Sequence, residues 1–396
     1  MKKWLLLWCL GTAIGGSAEF PVRQALTDST TWANPDFLQI WQPQSAVTRI
    51  SSKHWPEPEP VFGHQPHAIT ARFVDGAIQS ITLLFLDSGT HFGYVPRENA
   101  AKTQEEHRES FRTRVEETAR DVEAGLILLA KSANGDVGIL GENQLLKQRV
   151  KLFQLGDLTA RLHYLEEQLV KVTLFPEDKP AQTWLSGARL GSEKAAWAEL
   201  IASRVKIQEN GDRVLSQVPM FPQGDRAYCG VSSLAMTVQY LGLAMETEDL
   251  AAAAGIRYGS TRGARIREVY QAAFYELGMR LPRREVFDFE KAVETIDAGI
   301  PVIVWRRWRA ERDYLHTQFA RRFQSDPTLE LPLPDEGDRE FWPQPSDYNH
   351  ASVITGYNGD RGEVIFTESW GERVRNRRMR VEEMKATSYY SFYPAF

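Results

Sequence analysis

Only two cysteines, Cys9 and Cys229, occur in the 396 residues, and Cys9 lies in a segment expected to be removed. Lys2 and Lys3, the apolar run Trp4 to Ile14 and the small residues Gly16-Ser17-Ala18 read as a secretory signal peptide, residues 1–18, cleaved after Ala18. A run of about eleven apolar residues is too short for a bilayer, which takes roughly 18 to 20. No later stretch approaches that length, so the mature chain is expected to be periplasmic or extracellular, with no membrane span. A single remaining thiol cannot close an internal disulfide in an oxidising compartment. Apolar burial must therefore hold the fold, and the 42% hydrophobic content, with 19 Phe, 13 Tyr and 11 Trp, is enough for more than one core. The formal charge of −5 gives no global positive field for nucleic acid, which is not expected as a partner.

The patterning divides the chain in two. Residues 19 to about 60, rich in Trp, Pro and Ser, show little period and read as irregular. From Ala68 onward, Ile69 to Val74 and Ile78 to Leu86 are β-rich runs around an Asp75-Gly76 turn, a hairpin pattern. Phe111, Val115, Val122, Leu126 and Leu129 fall at helical spacing within the charged stretch from about 100 to 131, which precedes an Asn134-Gly135-Asp136 turn. Further periodic or β-rich runs over 144–155 and 158–174 complete a mixed α+β domain, 19–210, in which no known family is recognised. A helical stretch around Glu193 to Val205 leads to a second domain, 211–396.

That second domain opens with Gln223-Gly-Asp-Arg-Ala-Tyr228-Cys229-Gly230, followed by Val231, Leu234, Val238 and Leu241 at helical spacing until Gly242. Cys229 therefore starts a helix, where backbone N–H groups favour negative charge and bias a thiol toward thiolate. Downstream come Asn349-His350-Ala-Ser-Val-Ile-Thr-Gly356-Tyr357, an Asn358-Gly359-Asp360 turn, and Glu368-Ser369-Trp370-Gly371. Two helices, from about Arg265 to Leu277 and from Phe289 to Ala298, and a buried strand, Pro301 to Trp305, lie between.

These motifs resemble the papain-like cysteine peptidases: Gln, five residues, Cys-Gly and an apolar helix, then a His strand ending in Gly-Tyr, then a residue before Ser-Trp-Gly. Within that group they look like the bacteriocin-leader (double-glycine) peptidase-like branch. The resemblance covers about residues 213 to 390. His350 and Glu368 stand 121 and 139 residues after Cys229, near the roughly 130 to 150 of papain-type enzymes. It implies an α+β, papain-like fold, with a helical part carrying the nucleophile and a C-terminal antiparallel sheet, preceded by a separate mixed α+β domain. It also implies peptide-bond hydrolysis through a thioester on Cys229, with His350 as general base and acid, Glu368 orienting the imidazole, and Gln223 as an oxyanion donor. A peptide or protein is the expected substrate, and no metal or organic cofactor is expected. Glu368 departs from the usual Asp or Asn, and Asp347 is an alternative acceptor for His350. Other acyl transfer or cell-wall amide hydrolysis on the same residues, or an inert binding module, are the alternative functions.

Four other signals are weaker. The Trp305-Arg-Arg-Trp308-Arg309 and Arg321-Arg322 runs read as a solvated helix rather than a nucleic-acid patch, because Glu311, Asp313 and Asp326 are nearby. The insertion at about 306–348 reads as a lid or substrate wall, or as a decorative excursion. His64-Gln-Pro-His67 lacks the further ligands of a metal site. Ser232 and Ser233 lack a Gly-x-Ser-x-Gly setting.

Overall fold

Alternating and continuous apolar runs in the first half of the chain assemble an eight-stranded antiparallel sheet. The computed structural model describes residues 22–396 except 47–49, 57–58, 75, 94–103, 131–134, 141–142, 178–193, 217, 244–245 and 259–264. The expected signal peptide lies outside the described residues, as do Asp75 and Asn134 of two expected turns. Across the sheet the strand order is Gln42–Ala46, Ile50–His54, Ala68–Val74, Ala77–Asp87, Leu169–Pro176, Leu158–Leu165, Gln148–Leu155 and Asp136–Leu140. The Ala68–Val74 and Ala77–Asp87 strands form a tight hairpin in which Gly76 takes φ +82°, a conformation that suits glycine.

The helix Gln104–Leu129 buries Phe111, Val115, Val122 and Leu126 in the core of this sheet, the stripe that its spacing predicts. The leading segment is more ordered than its composition suggested. It holds the short helices Val22–Thr27 and Pro35–Ile40, a 3-10 turn at Ser29–Ala33 and two strands, and it buries Trp32, Phe37, Trp41 and Trp55. These elements are too short to show a period. They are started by local caps instead: Asp28 accepts from the Thr30 N–H, and Asn34 accepts from the Asp36 N–H ahead of Pro35.

The second sheet is also antiparallel, in the order Arg283–Arg284, Ser388–Phe392, Val302–Trp308, Tyr348–Asn358, Arg213–Leu215 and Val205–Ile207. Glu363–Thr367 pairs with Tyr348–Asn358 and with Arg377–Arg380. The strand Val205–Ile207 thus joins this sheet from ahead of residue 211. The helices Cys229–Tyr240, Thr247–Ala254, Ile266–Glu276 and Phe289–Asp297 precede or flank it. Cys229–Tyr240 is buried nearly all round, from Val231 to Val238 and at Tyr240, as expected of a central helix.

The two halves meet over an ion cluster. Lys171, on the first sheet, lies 2.5 Å from Asp249 and also pairs with Glu246, while His163 Nδ1 is 3.1 Å from Asp249. Burial alone would push the Lys171 ammonium down, but Asp249 and Glu246 hold it above its ordinary value. Leu146 packs into the core of the second half. Removing one partner of a buried ion pair leaves the other charge desolvated, at a cost of about 3–5 kcal/mol. Lys171→Met should therefore lower the unfolding free energy by about that amount, measured by urea denaturation. A loss of less than about 1 kcal/mol, the range of exposed pairs, would show that this cluster does not hold the halves together.

Candidate active site

Cys229 is the first residue of its helix, and Tyr228 before it offers no side-chain cap to the first N–H groups. The helix is tied to the neighbouring strand by Ser233, whose Oγ donates to the Ala351 carbonyl at 3.1 Å. Ala351 follows His350, so this bond fixes the separation of the thiol helix and the imidazole strand. Cys229, half-buried, hydrogen-bonds to the His350 ring. His350 Nε2 lies 2.7 Å from Glu368 Oε2, which leaves Nδ1 for the sulfur.

Glu368 is fully buried, and its longer side chain is used at both oxygens. Oε2 meets the imidazole, while Oε1 accepts from Arg306 Nη2 at 2.5 Å and from Ser352 Oγ at 2.9 Å. Arg377 stands 3.8 Å from Oε1. Asp347, the alternative acceptor, instead pairs with Arg309 at 2.9 Å and accepts from the Gln344 N–H. The structure thus places Glu368, not Asp347, against His350.

The electrostatics follow from this arrangement. Burial would raise the Glu368 carboxyl, but His350 and Arg306 hold it well below the ordinary carboxylate range. Burial would lower His350, yet the Glu368 carboxylate, then Cys229, raise it to about 9. Burial would likewise raise the Cys229 thiol, but the His350 hydrogen bond and charge bring it below its ordinary value, aided by the Ala351 and Gly230 backbone. Each charge therefore favours the other: the imidazolium lowers the thiol, and the thiolate helps to raise the imidazole.

Gln223 is oriented from both ends of its amide. Its Oε1 accepts from Ser369 Oγ at 2.6 Å and its Nε2 donates to the Arg226 carbonyl at 2.9 Å, leaving one N–H. The Gln223 backbone N–H donates to the Ser369 carbonyl at 2.7 Å, joining this loop to the residue after Glu368.

Several residues that the sequence showed only as parts of motifs or runs take up particular contacts at the site. Trp370 stacks on His350, with centroids 4.2 Å apart and planes at 28°, and Trp308 meets Trp370 edge-on. The run from Trp305 to Arg309 is not a solvated helix: Trp305 to Trp308 lie on the strand Val302–Trp308, and Arg306 is buried opposite His350 in the sheet register. Acidic neighbours misled the sequence reading because one of them, Asp313, is a partner of the same guanidinium at 3.6 Å. Of the two runs, only Arg321 and Arg322 are exposed, on the helix Ala310–Ser325. That helix, within the expected insertion, also places Asp313 2.5 Å from Arg377, so the segment braces the counter-ions of Glu368. His64 pairs with Asp121, and no cluster of three or more His, Cys, Asp or Glu suited to a metal occurs among the described residues. No helix among them is long and apolar enough to cross a membrane.

Replacing the carboxylate by an amide of the same shape isolates its charge. Glu368→Gln removes the anion that raises His350, so the imidazole should lose its proton at lower pH and the thiol should rise. The midpoint of Cys229 alkylation by iodoacetamide should then move up toward about 8.5, followed by site-resolved mass spectrometry. An unchanged midpoint would show that Glu368 does not set the charge of the pair.

Residues 215–395 match the family model described as Peptidase_C39 like family. No curated protein matches the chain. Among solved structures, the chain is similar to the peptidase domain of Streptococcus ComA, a bi-functional ABC transporter involved in a quorum sensing pathway. Identity is 16%, coverage is 44% of this chain and 96% of that one, and the TM-score is 0.28. The matched family segment contains Cys229, His350 and Glu368, and its helices followed by an antiparallel sheet are the α+β, papain-like arrangement.

Proposed function

We propose, from the premise that residues 215–395 form a Peptidase_C39-like domain, that the chain is an exported cysteine peptidase cleaving peptide bonds through a thioester on Cys229. The observation that carries this reading is the continuous line from a helix-starting thiol to His350 and on to a buried, cation-held Glu368. Export rests on the charged, apolar and small-residue order of residues 1–18.

In this mechanism the Cys229 thiolate attacks the peptide carbonyl carbon, and the C=O π pair passes to oxygen. The developing oxyanion is met by the Cys229 backbone N–H and the remaining amide N–H of Gln223. Collapse of the tetrahedral species expels the amine, which takes its proton from the His350 imidazolium and leaves a thioester. His350, now neutral, removes a proton from water as it attacks the thioester; collapse breaks the C–S bond, releases the carboxylic acid, which gives its proton to solvent, and restores the thiolate–imidazolium pair. Glu368 accepts no proton in this cycle; it fixes the ring and stabilises its charge.

Peptides with a double-glycine junction are the first substrates to test, because the motifs resemble that branch. The mature chain should cleave such peptides, and Cys229→Ala should lose at least about a thousandfold in rate, in keeping with loss of a nucleophile. Mass analysis of products with and without an added amine separates hydrolysis from acyl transfer: an amide adduct as the main product would replace the peptidase reading with transfer. Wild-type protein that alkylates rapidly at Cys229 but cleaves no peptide, with full biological effect retained in Cys229→Ser, would support a binding module instead.

A further inference from the structure

The segment that would supply both oxyanion donors rests on the other half of the molecule. Between Pro222 and Tyr228 the loop is held by Arg226, whose Nε donates to the Gln223 carbonyl at 2.8 Å and whose Nη2 donates to the Pro222 carbonyl at 3.0 Å. Its Nη1 pairs with Glu248 at 2.6 Å, and the guanidinium lies over the Tyr228 ring, 4.7 Å from the centroid. The Gln223 amide in turn donates to the Arg226 carbonyl. Gln223, Arg226 and Tyr228 therefore behave as one rigid piece ending at the Cys229 N–H.

This piece is anchored across the domain junction. Tyr228 is buried, and its Oη donates to Asp87 Oδ1 at 3.2 Å, at the end of the strand Ala77–Asp87. The same carboxylate accepts from the Thr90 N–H at 2.9 Å, which fixes its rotamer. At Gly89 the ring comes so close that a Cβ there would sit 2.3 Å from Tyr228 Cζ, so the corner admits the tyrosine only as glycine. Burial would raise the Asp87 carboxyl, but His67, 3.9 Å from Oδ2, and then Arg226 hold it below its ordinary value.

We propose that the Asp87–Gly89 corner of the N-terminal domain sets the geometry of the oxyanion loop, with Asp87 as a positioning residue that acts through Tyr228. The inference rests on the assignment of Cys229 as nucleophile and gives the N-terminal domain a part in the same reaction. Tyr228 precedes the nucleophile, so a tilt of its ring displaces the Cys229 N–H, whereas the thiol remains held by His350 and the Ser233–Ala351 tether.

Two probes of Cys229 separate these effects. Iodoacetamide reacts by displacement of iodide from carbon and forms no oxyanion. A Gly-Gly peptide aldehyde instead takes the sulfur at its carbonyl carbon; the π pair moves to oxygen, which draws on the oxyanion donors and accepts a proton from His350 to give a hemithioacetal. In the full mature chain, Tyr228→Phe should weaken the aldehyde roughly tenfold, a fraction of the loss from deleting an oxyanion donor, with alkylation changed less than about twofold. Asp87→Ala should match it, the double variant should add no further loss, and Asp87→Asn, which keeps Oδ1, should restore wild-type affinity. Equal loss of both probes, or additive losses in the double variant, would overturn the positioning role. So would an unchanged aldehyde affinity in Tyr228→Phe. If the wild-type chain alkylates but never captures the aldehyde, the peptidase reading falls and this inference falls with it.

Discussion

Placing a carboxylate at the centre of a protein is costly unless cations and donors replace its water. Glu368 is such a carboxylate, and much of the second half of the chain is arranged to meet it. Arg306 reaches it from the central strand, Arg377 from a neighbouring strand and Ser352 from the His350 strand. The extra methylene relative to aspartate lets one oxygen serve the imidazole while the other serves a guanidinium. The charge of His350 then follows from Glu368, and that of Cys229 follows from His350.

The two guanidinium groups themselves require compensation, which explains part of the segment between the Val302–Trp308 and Tyr348–Asn358 strands. Asp313 faces both Arg306 and Arg377, while Arg312 on the same helix pairs with Asp338 and Glu383. A helix that read as an appendage in the sequence is coupled electrostatically to the imidazole's partner. At the opposite side of the site, the first sheet meets the loop before Cys229. The thiol is thus held from the His350 strand, and the loop before it from the N-terminal half.

The residues that were legible in the sequence are those whose chemistry requires a particular type at a particular place. A cysteine at a helix start, a histidine on a strand and an acid before Ser-Trp-Gly stand out because alternatives would not do the same work. The long amphipathic helix and the first hairpin were also legible, since Phe111 to Leu126 and Asp75-Gly76 display a period and a turn. Arg306 was not: a buried guanidinium has no local pattern, and its acidic neighbours resemble those of a solvated surface. The order of the leading segment escaped notice for a different reason. Asp28 and Asn34 start elements of five or six residues, shorter than two helical turns, and the burial of Trp32, Trp41 and Trp55 is decided by the sheet they cover.

Trp370 has a consequence of an optical kind. Its indole lies in stacked contact with the His350 ring, and a protonated imidazole quenches indole emission by accepting an excited electron far more readily than a neutral one. The protonation state of the pair is therefore written into the near-ultraviolet emission of one residue. The difference between the spectra of the chain from residue 19 onward and its Trp370→Phe variant isolates that residue from the other eight tryptophans. Charge separation at the sulfur can in this way be followed without a substrate, a label or a chemical modification.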